Sequence, residues 1–214
     1  MTSDRALDPD RDASLTRLDV PGPHAPRGLV LALHGGKQAS RRPVDDRSLS
    51  WRRMAALQRA IAPTLHEADV ATWLLRFRVR GWNHGAPVVD ARAALDAVRA
   101  ELGDVPVVLL GHSMGARTAV QVADDPSVVG VVGLAPWWMP DDPVTALRGK
   151  PVVAAHGRTD KITLARFTRA YLRRAEAVAS RTELHDMGRV GHYMLRRVPA
   201  WNDVAARACL DLLA

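Results

Sequence analysis

The 214-residue sequence predicts one α/β domain, a doubly wound, mostly parallel sheet of about seven strands with helices on both faces and no cap domain. Three observations carry this. Continuous apolar runs of strand length recur, as strands buried on both faces of a parallel sheet require. Helical patterns alternate with them through nearly the whole chain. No repeat, low-complexity tract or linker interrupts the alternation.

In chain order, residues 1–13 read as a polar, solvated tail ahead of a single domain over residues 14–214. Ser14 to Val20 alternates apolar and polar, which suits a half-exposed edge strand. Residues 21–26 are rich in proline and form a turn. Gly28 to Leu33 is a buried strand that exits into His34-Gly35-Gly36-Lys37. A helix follows from Trp51 to about His66, with Met54, Leu57, Ile61 and Leu65 on one face and Ser50 as its N-cap. Pro63 is expected to shorten or kink its end. Asp69 to Val79 is the next strand, and Arg80 to Gly85 its exit loop. Val88 to Leu102 is an amphipathic helix with Val89, Ala93, Leu95, Val98 and Leu102 inward, stopped by Gly103. The strand Val105 to Leu110 and the helix Ala116 to Ala123 flank Gly111-His112-Ser113-Met114-Gly115. Val128 to Leu134 is a strand opening into a loop, residues 135–143, too short to build a lid. Pro151 to Ala155 is a strand ending in His156-Gly157-Arg158-Thr159-Asp160. A helix from Leu164 to Ser180, a short strand from Thr182 to Met187, the segment Gly188 to His192 and a helix from Val198 to Leu213 complete the chain.

Composition narrows the class. Hydrophobic content of 47% and charged content of 25% are those of an ordinary globular protein. The net charge of +7 raises nucleic acid or an anionic surface as partners. The excess is arginine, however, with lysine confined to Lys37, Lys150 and Lys161, and the arginines are spread rather than gathered in a stripe. No nucleic-acid or membrane partner is expected, and a preference for anionic substrates stays open. Six of the ten aromatics are Trp, a bias that suggests some Trp line a pocket. The lone Cys209 excludes an intramolecular disulfide and reads as an inert core residue. The polar N-terminus lacks the apolar stretch of a secretory leader, and no run reaches the roughly 18 apolar residues of a spanning helix. A cytoplasmic location is the default expectation.

In doubly wound sheets ligands bind outside the carboxyl ends of the strands, so the residues just past each strand matter most. There stand His34-Gly35-Gly36, Ser113, Asp160 and His192. The segment Gly111 to Gly115 has the G-x-S-x-G spacing of a nucleophile elbow, a turn from strand to helix so tight that its flanking residues must be small. Its strain aims the serine Oγ over the sheet and leaves the Met114 N–H at a helix N-terminus, ready to donate to an oxyanion. The bland alternative is a glycine-rich turn whose serine merely caps the helix.

With these motifs in order, the chain resembles the α/β-hydrolase family, in its small lidless serine-esterase or dienelactone-hydrolase-like branch. The residues that carry the resemblance are Gly111 to Gly115, His34 to Gly36, His156 to Asp160 and Gly191-His192, and it covers residues 15–214. It implies that Ser113 is a nucleophile and His192 its base, since a serine needs a base within hydrogen-bond reach and an imidazole titrates near working pH. It implies that Asp160 holds the tautomer of His192, with Asp141 or Asp142 as the alternative acid. Met114 and Gly36, or else Lys37, would supply the oxyanion hole. Trp82, Trp137, Trp138 and Tyr193 are candidates for an apolar pocket, or simply close the top of the sheet. Arg78 and Arg80, at the end of a strand, are placed either to meet a substrate carboxylate or, more simply, to pair with nearby Asp.

No metal or cofactor is expected. The eight His show no metal-binding pair, and neither the phosphate-loop nor the dinucleotide-binding glycine spacing is present. The implied activity is serine hydrolysis through an acyl-enzyme on a small-molecule ester, most simply a carboxylesterase for small or medium acyl groups. Thioesterase, peptidase and acyltransferase chemistry use the same residues, and a catalytically silent binding module is the alternative of another class.

Overall fold

The computed structural model describes residues 13–22 and 24–214. The expected tail, residues 1–13, lies outside these apart from Ala13. Seven strands form one sheet: β1 (Ser14–Leu18), β2 (Gly28–Leu33), β3 (Val70–Arg76), β4 (Val107–His112), β5 (Val128–Leu134), β6 (Pro151–His156) and β7 (Arg181–Asp186). Their spatial order is β1-β3-β2-β4-β5-β6-β7. β1 runs antiparallel along one edge, and every other pair is parallel.

Five helices cover the faces: α1 (Leu49–Glu67), α2 (Ala86–Leu102), α3 (Met114–Val122), α4 (Ala165–Ala175) and α5 (Val198–Leu212). Alternate residues of the central strands feed two separate cores. Leu29, Leu31 and Leu33 of β2 join Leu109 of β4 and the inner faces of α2, α3 and α4. Val30 and Ala32 join Leu110 and the inner faces of α1 and α5. This two-sided burial is why the strands read as unbroken apolar runs. Each fully buried Leu or Val contributes about 1.5–3 kcal/mol relative to exposure.

Several boundaries differ from expectation, each for a local reason. α1 starts at Leu49 with Ser48, not Ser50, as its N-cap residue. The Ser48 hydroxyl donates to Asp45 Oδ1 at 2.8 Å instead of capping the helix. Pro63 neither ends nor shortens α1, which continues to Glu67. Pro63 faces solvent, where water can satisfy the carbonyl it leaves unbonded, and buried Leu65 anchors the last turn. β3 stops at Arg76 because the Phe77 N–H leaves the ladder for His34 Nε2, at 3.2 Å. α2 is rotated from its expected face: Val89 is exposed and Asp90 is buried. Asp90 accepts both the Arg78 N–H at 2.9 Å and its Nε–H at 2.6 Å. α4 ends at Ala175, five residues early, in a run of turns that reaches β7. Among the described residues no helix is long and apolar enough to cross a membrane.

Two imidazoles are buried where β2 and β4 leave the sheet. His34 Nε2 accepts from Phe77, so its Nδ1–H donates to the Gly35 carbonyl at 2.7 Å. Burial lowers its pKa to about 4, against the pull of the Gly35 carbonyl and with the help of Arg76. His112 lies beneath the following turn with Nε2 3.1 Å from the His192 carbonyl. Burial, then the nearby His192, lower its pKa to about 3.

Two predictions follow from this packing. Burial pushes the Cys209 thiol pKa up, so the native protein stays unlabelled by Ellman's reagent and one thiol reacts on unfolding; rapid native labelling would contradict this. The buried imidazoles make the fold acid-sensitive. The unfolded chain takes up their protons near pH 6.5, whereas the folded one waits until about pH 4 and 3. Below pH 6.5 the unfolded state therefore binds more protons, and stability falls with pH by about 1 kcal/mol per pH unit for each imidazole. Denaturant titrations at pH 6 and 5 should show this, with a shallower loss in His112→Gln. Equal slopes in the two proteins would refute it.

Candidate active site

The turn between β4 and α3 places Ser113 at φ 54° and ψ −114°, a left-handed conformation that costs a non-glycine residue about 1–3 kcal/mol. Its backbone is held from several sides. The Ser113 N–H donates to the Leu134 carbonyl at 3.1 Å, and the Ser113 carbonyl accepts from Ala116 at 3.1 Å, Arg117 at 3.2 Å and Trp137 at 3.1 Å. The flanking glycines are required by close approach. A Cβ on Gly111 would run into the backbone of Ala116, and one on Gly115 into the Leu33 carbonyl at the end of β2.

Three strand ends then converge. His192, in the loop after β7, has Nε2 2.9 Å from Ser113 Oγ and Nδ1 2.8 Å from Asp160 Oδ2. Asp160 lies in the loop after β6. Its carboxylate can only accept, so His192 Nδ1 carries the proton and Nε2 offers its lone pair to the serine hydroxyl. The arrangement can draw the proton from Ser113 Oγ and hold it on the imidazole. All three side chains are buried.

Asp160 is the most heavily hydrogen-bonded group in the site. Oδ1 accepts from the N–H of Ile162 at 2.8 Å and of Thr163 at 3.0 Å. Oδ2 accepts from the Thr163 hydroxyl at 3.0 Å and from His156 Nε2 at 3.2 Å, besides His192. Burial alone would raise its pKa. The hydrogen bonds from His156 and His192, the His192 charge and the Thr163 N–H outweigh burial and hold the carboxyl far below the usual range. Thr163 belongs to no motif in the sequence, yet its hydroxyl also lies 3.0 Å from His192 Nδ1. Asp142, the alternative acid, is committed elsewhere: it pairs with Arg117 at 2.6 Å and accepts the Met139 N–H at 2.9 Å. Arg78 pairs with Asp90 at 2.6 Å and Arg80 with Asp45 at 2.9 Å.

The expected oxyanion donors separate. The Met114 N–H opens α3, where no intrahelical acceptor precedes it. Gly36 packs against the Met114 side chain, with no room for a Cβ. Among the described residues its N–H has no hydrogen-bond partner. His34 holds the Gly35 carbonyl, which fixes the Gly35–Gly36 peptide and turns its N–H the opposite way. Lys37 is a correction: its N–H donates to the Arg80 carbonyl at 2.8 Å and is unavailable.

The pocket residues need a larger correction. A cavity of about 660 Å³ opens beside Ser113 and His192. Tyr193 lines it, but Trp82, Trp137 and Trp138 do not. Trp138 is a core residue, stacked on Tyr171 at 4.7 Å and donating Nε1–H to the Ala116 carbonyl at 2.9 Å. Trp82 and Trp137 meet edge to face at 6.3 Å and flank the Arg117 guanidinium, 4.6 and 4.7 Å from their rings. The cavity wall comes instead from the first turns of α1, through Leu49, Trp51, Arg52, Arg53, Ala56 and Arg59, and from Leu195. A signal for this wall was available. In a βα unit the helix begins at the edge where the strand ends, so the first turn of α1 had to stand beside the site.

Solved structures share the architecture. An alpha-beta serine hydrolase homologue from Coxiella burnetii is 18% identical, with 92% of this chain and 91% of that one covered and a TM-score of 0.71. A serine hydrolase without a lid from Xanthomonas campestris is 18% identical over 93% and 88%, with a TM-score of 0.70. A thermophilic esterase from Thermogutta terrifontis, solved with butyrate, is 15% identical over 96% and 91%, with a TM-score of 0.71. No curated protein matches the chain in sequence. The sequence pattern of the alpha/beta hydrolase family, in contrast, matches residues 29–213. The chain thus belongs to the alpha/beta hydrolase family, and its seven-stranded sheet is the lidless form of that fold.

Proposed function

We propose that residues 14–214 act as a single catalytic domain, a serine carboxylesterase that cleaves small or medium acyl esters through an acyl-enzyme. One observation carries the reading. Ser113 Oγ, His192 Nε2, His192 Nδ1 and Asp160 Oδ2 form one hydrogen-bonded line, with steps of 2.9 and 2.8 Å across the imidazole. The fold shared with solved esterases and the open cavity beside Ser113 support it.

In this mechanism Ser113 Oγ attacks the ester carbonyl while His192 Nε2 takes its proton. The carbonyl oxygen becomes an oxyanion held by the N–H groups of Met114 and Gly36. Asp160 keeps the imidazole oriented and stabilises it while it is charged. Collapse breaks the bond to the alcohol oxygen, which leaves with the proton from His192. A water then enters, gives a proton to His192 and attacks the acyl carbon. The second collapse frees the acid and returns the proton to Ser113.

Wild-type protein should label with a fluorophosphonate probe, and Ser113→Ala should not. Absence of labelling in folded wild type would refute the esterase reading. Asp160→Asn is expected to lower kcat by about 10³–10⁴ with the circular dichroism unchanged. Asp142→Asn breaks the pair with Arg117 and should lower stability while leaving kcat within a few-fold. A larger kcat loss at Asp142 than at Asp160 would move the acid.

A further inference from the structure

One acid, Asp46, lines the cavity and another, Asp45, stands next to it in the chain, and both are matched to arginines that do not line it. Asp45 pairs with Arg80 and Asp46 with Arg76. The three arginines that do line it, Arg52, Arg53 and Arg59, have no acidic partner among the described residues. Arg52, Ala56 and Arg59 follow one another along one side of α1, and Arg52 and Arg59 are exposed. Arg53 is different. It is half-buried, one Nη2–H donates to the Met194 carbonyl at 3.1 Å, and its Nε is buried without a partner. Behind burial and His192, its charge also lowers the His112 pKa. Burial lowers the Arg53 pKa itself, a cost that a nearby anion offsets. Leu49, Trp51, Tyr193 and Leu195 give the same cavity an apolar part of its wall.

We propose that the cavity selects esters whose apolar body ends in a carboxylate, with Arg53 pairing with that carboxylate and Arg52 and Arg59 attracting it to the mouth. The inference rests on the esterase reading and names its substrate class. A planar guanidinium fork matches a carboxylate in two parallel hydrogen bonds. A half-ester of a dicarboxylic acid is the simplest such molecule: its ester end reaches Ser113 while its free carboxylate stays in the arginine wall.

The test compares length-matched p-nitrophenyl esters, one ending in a carboxylate and one in a methyl group. Wild type should favour the carboxylate ester in kcat/KM by about 10- to 100-fold, the range of a charge-assisted hydrogen bond. Arg53→Gln should bring that ratio close to one. Arg173→Gln, which removes an exposed charge on α4 far from the cavity, should leave the ratio unchanged. A wild-type ratio near one, or a ratio insensitive to Arg53→Gln, overturns the proposal. Should Arg53→Gln fail to fold, the exposed pair Arg52→Gln and Arg59→Gln provides the second test. The double variant should lower the carboxylate preference a few-fold at low salt, and an unchanged preference counts against the proposal. Binding to Ser113→Ala, followed by tryptophan fluorescence, separates the two readings. If neither ester is hydrolysed yet the carboxylate ester binds at least tenfold more tightly, the esterase reading fails and the anion pocket stands. If both esters are hydrolysed and bound alike, the pocket fails and the esterase reading stands.

Discussion

The whole site depends on how closely two backbones approach at the centre of the sheet. α3 begins so near the end of β2 that Gly115 rests on the Leu33 carbonyl, and the turn before it brings Gly111 against Ala116. This contact forces Ser113 into its left-handed conformation and leaves the first N–H of α3 open. It also brings Gly36 against Met114, so the two proposed donors are set by the same packing that sets Ser113. A second close approach ties the other two strand ends together. Gly157, after β6, lies against the Val190 carbonyl, and Arg158 N–H donates to Gly188 at 2.8 Å. The loops bearing Asp160 and His192 are therefore positioned relative to each other by backbone, and the side chains add the last adjustment.

That adjustment is polar and dense. A buried carboxylate without partners would take up a proton or leave the interior. Asp160 stays ionised because two backbone N–H groups, a threonine hydroxyl and two imidazoles surround it. Thr163 contributes both a backbone and a side-chain donor, and its hydroxyl touches His192 as well. Asp160, His192 and Thr163 form one hydrogen-bonded unit, as polar networks in low dielectric do.

Much of this was legible in the amino-acid sequence because it is local. The apolar runs, the glycines around Ser113 and the stop at Gly103 each follow from residues within one or two turns of chain. What was not legible depends on distant partners. Lys37 loses its N–H to Arg80, 43 residues away, a pairing that no local pattern announces. Trp137 and Trp138 are neighbours with opposite fates. Ala135, at φ 42°, turns the chain so that Trp138 enters the core while Trp137 stays beside Arg117. Asp90 faces inward because Arg78, at the end of another element, meets it there. The bias toward Trp pointed to a pocket, yet Trp73, Trp138 and Trp201 are all core residues, and Trp51 alone of the six lines the cavity.

α1 keeps two tasks on two sides of one cylinder. Met54, Leu57, Ile61 and Leu65 are buried in the core, while Arg52, Ala56 and Arg59 are exposed and line the cavity. Substitutions on the second side alter the cavity wall without removing a buried side chain of the first. A protein built this way can drift from one ligand to another through single surface changes while its sheet and its strained serine stay as they are. The strand ends that carry Ser113, Asp160 and His192 are thereby separated from the α1 residues that shape the cavity wall, so the two can vary independently.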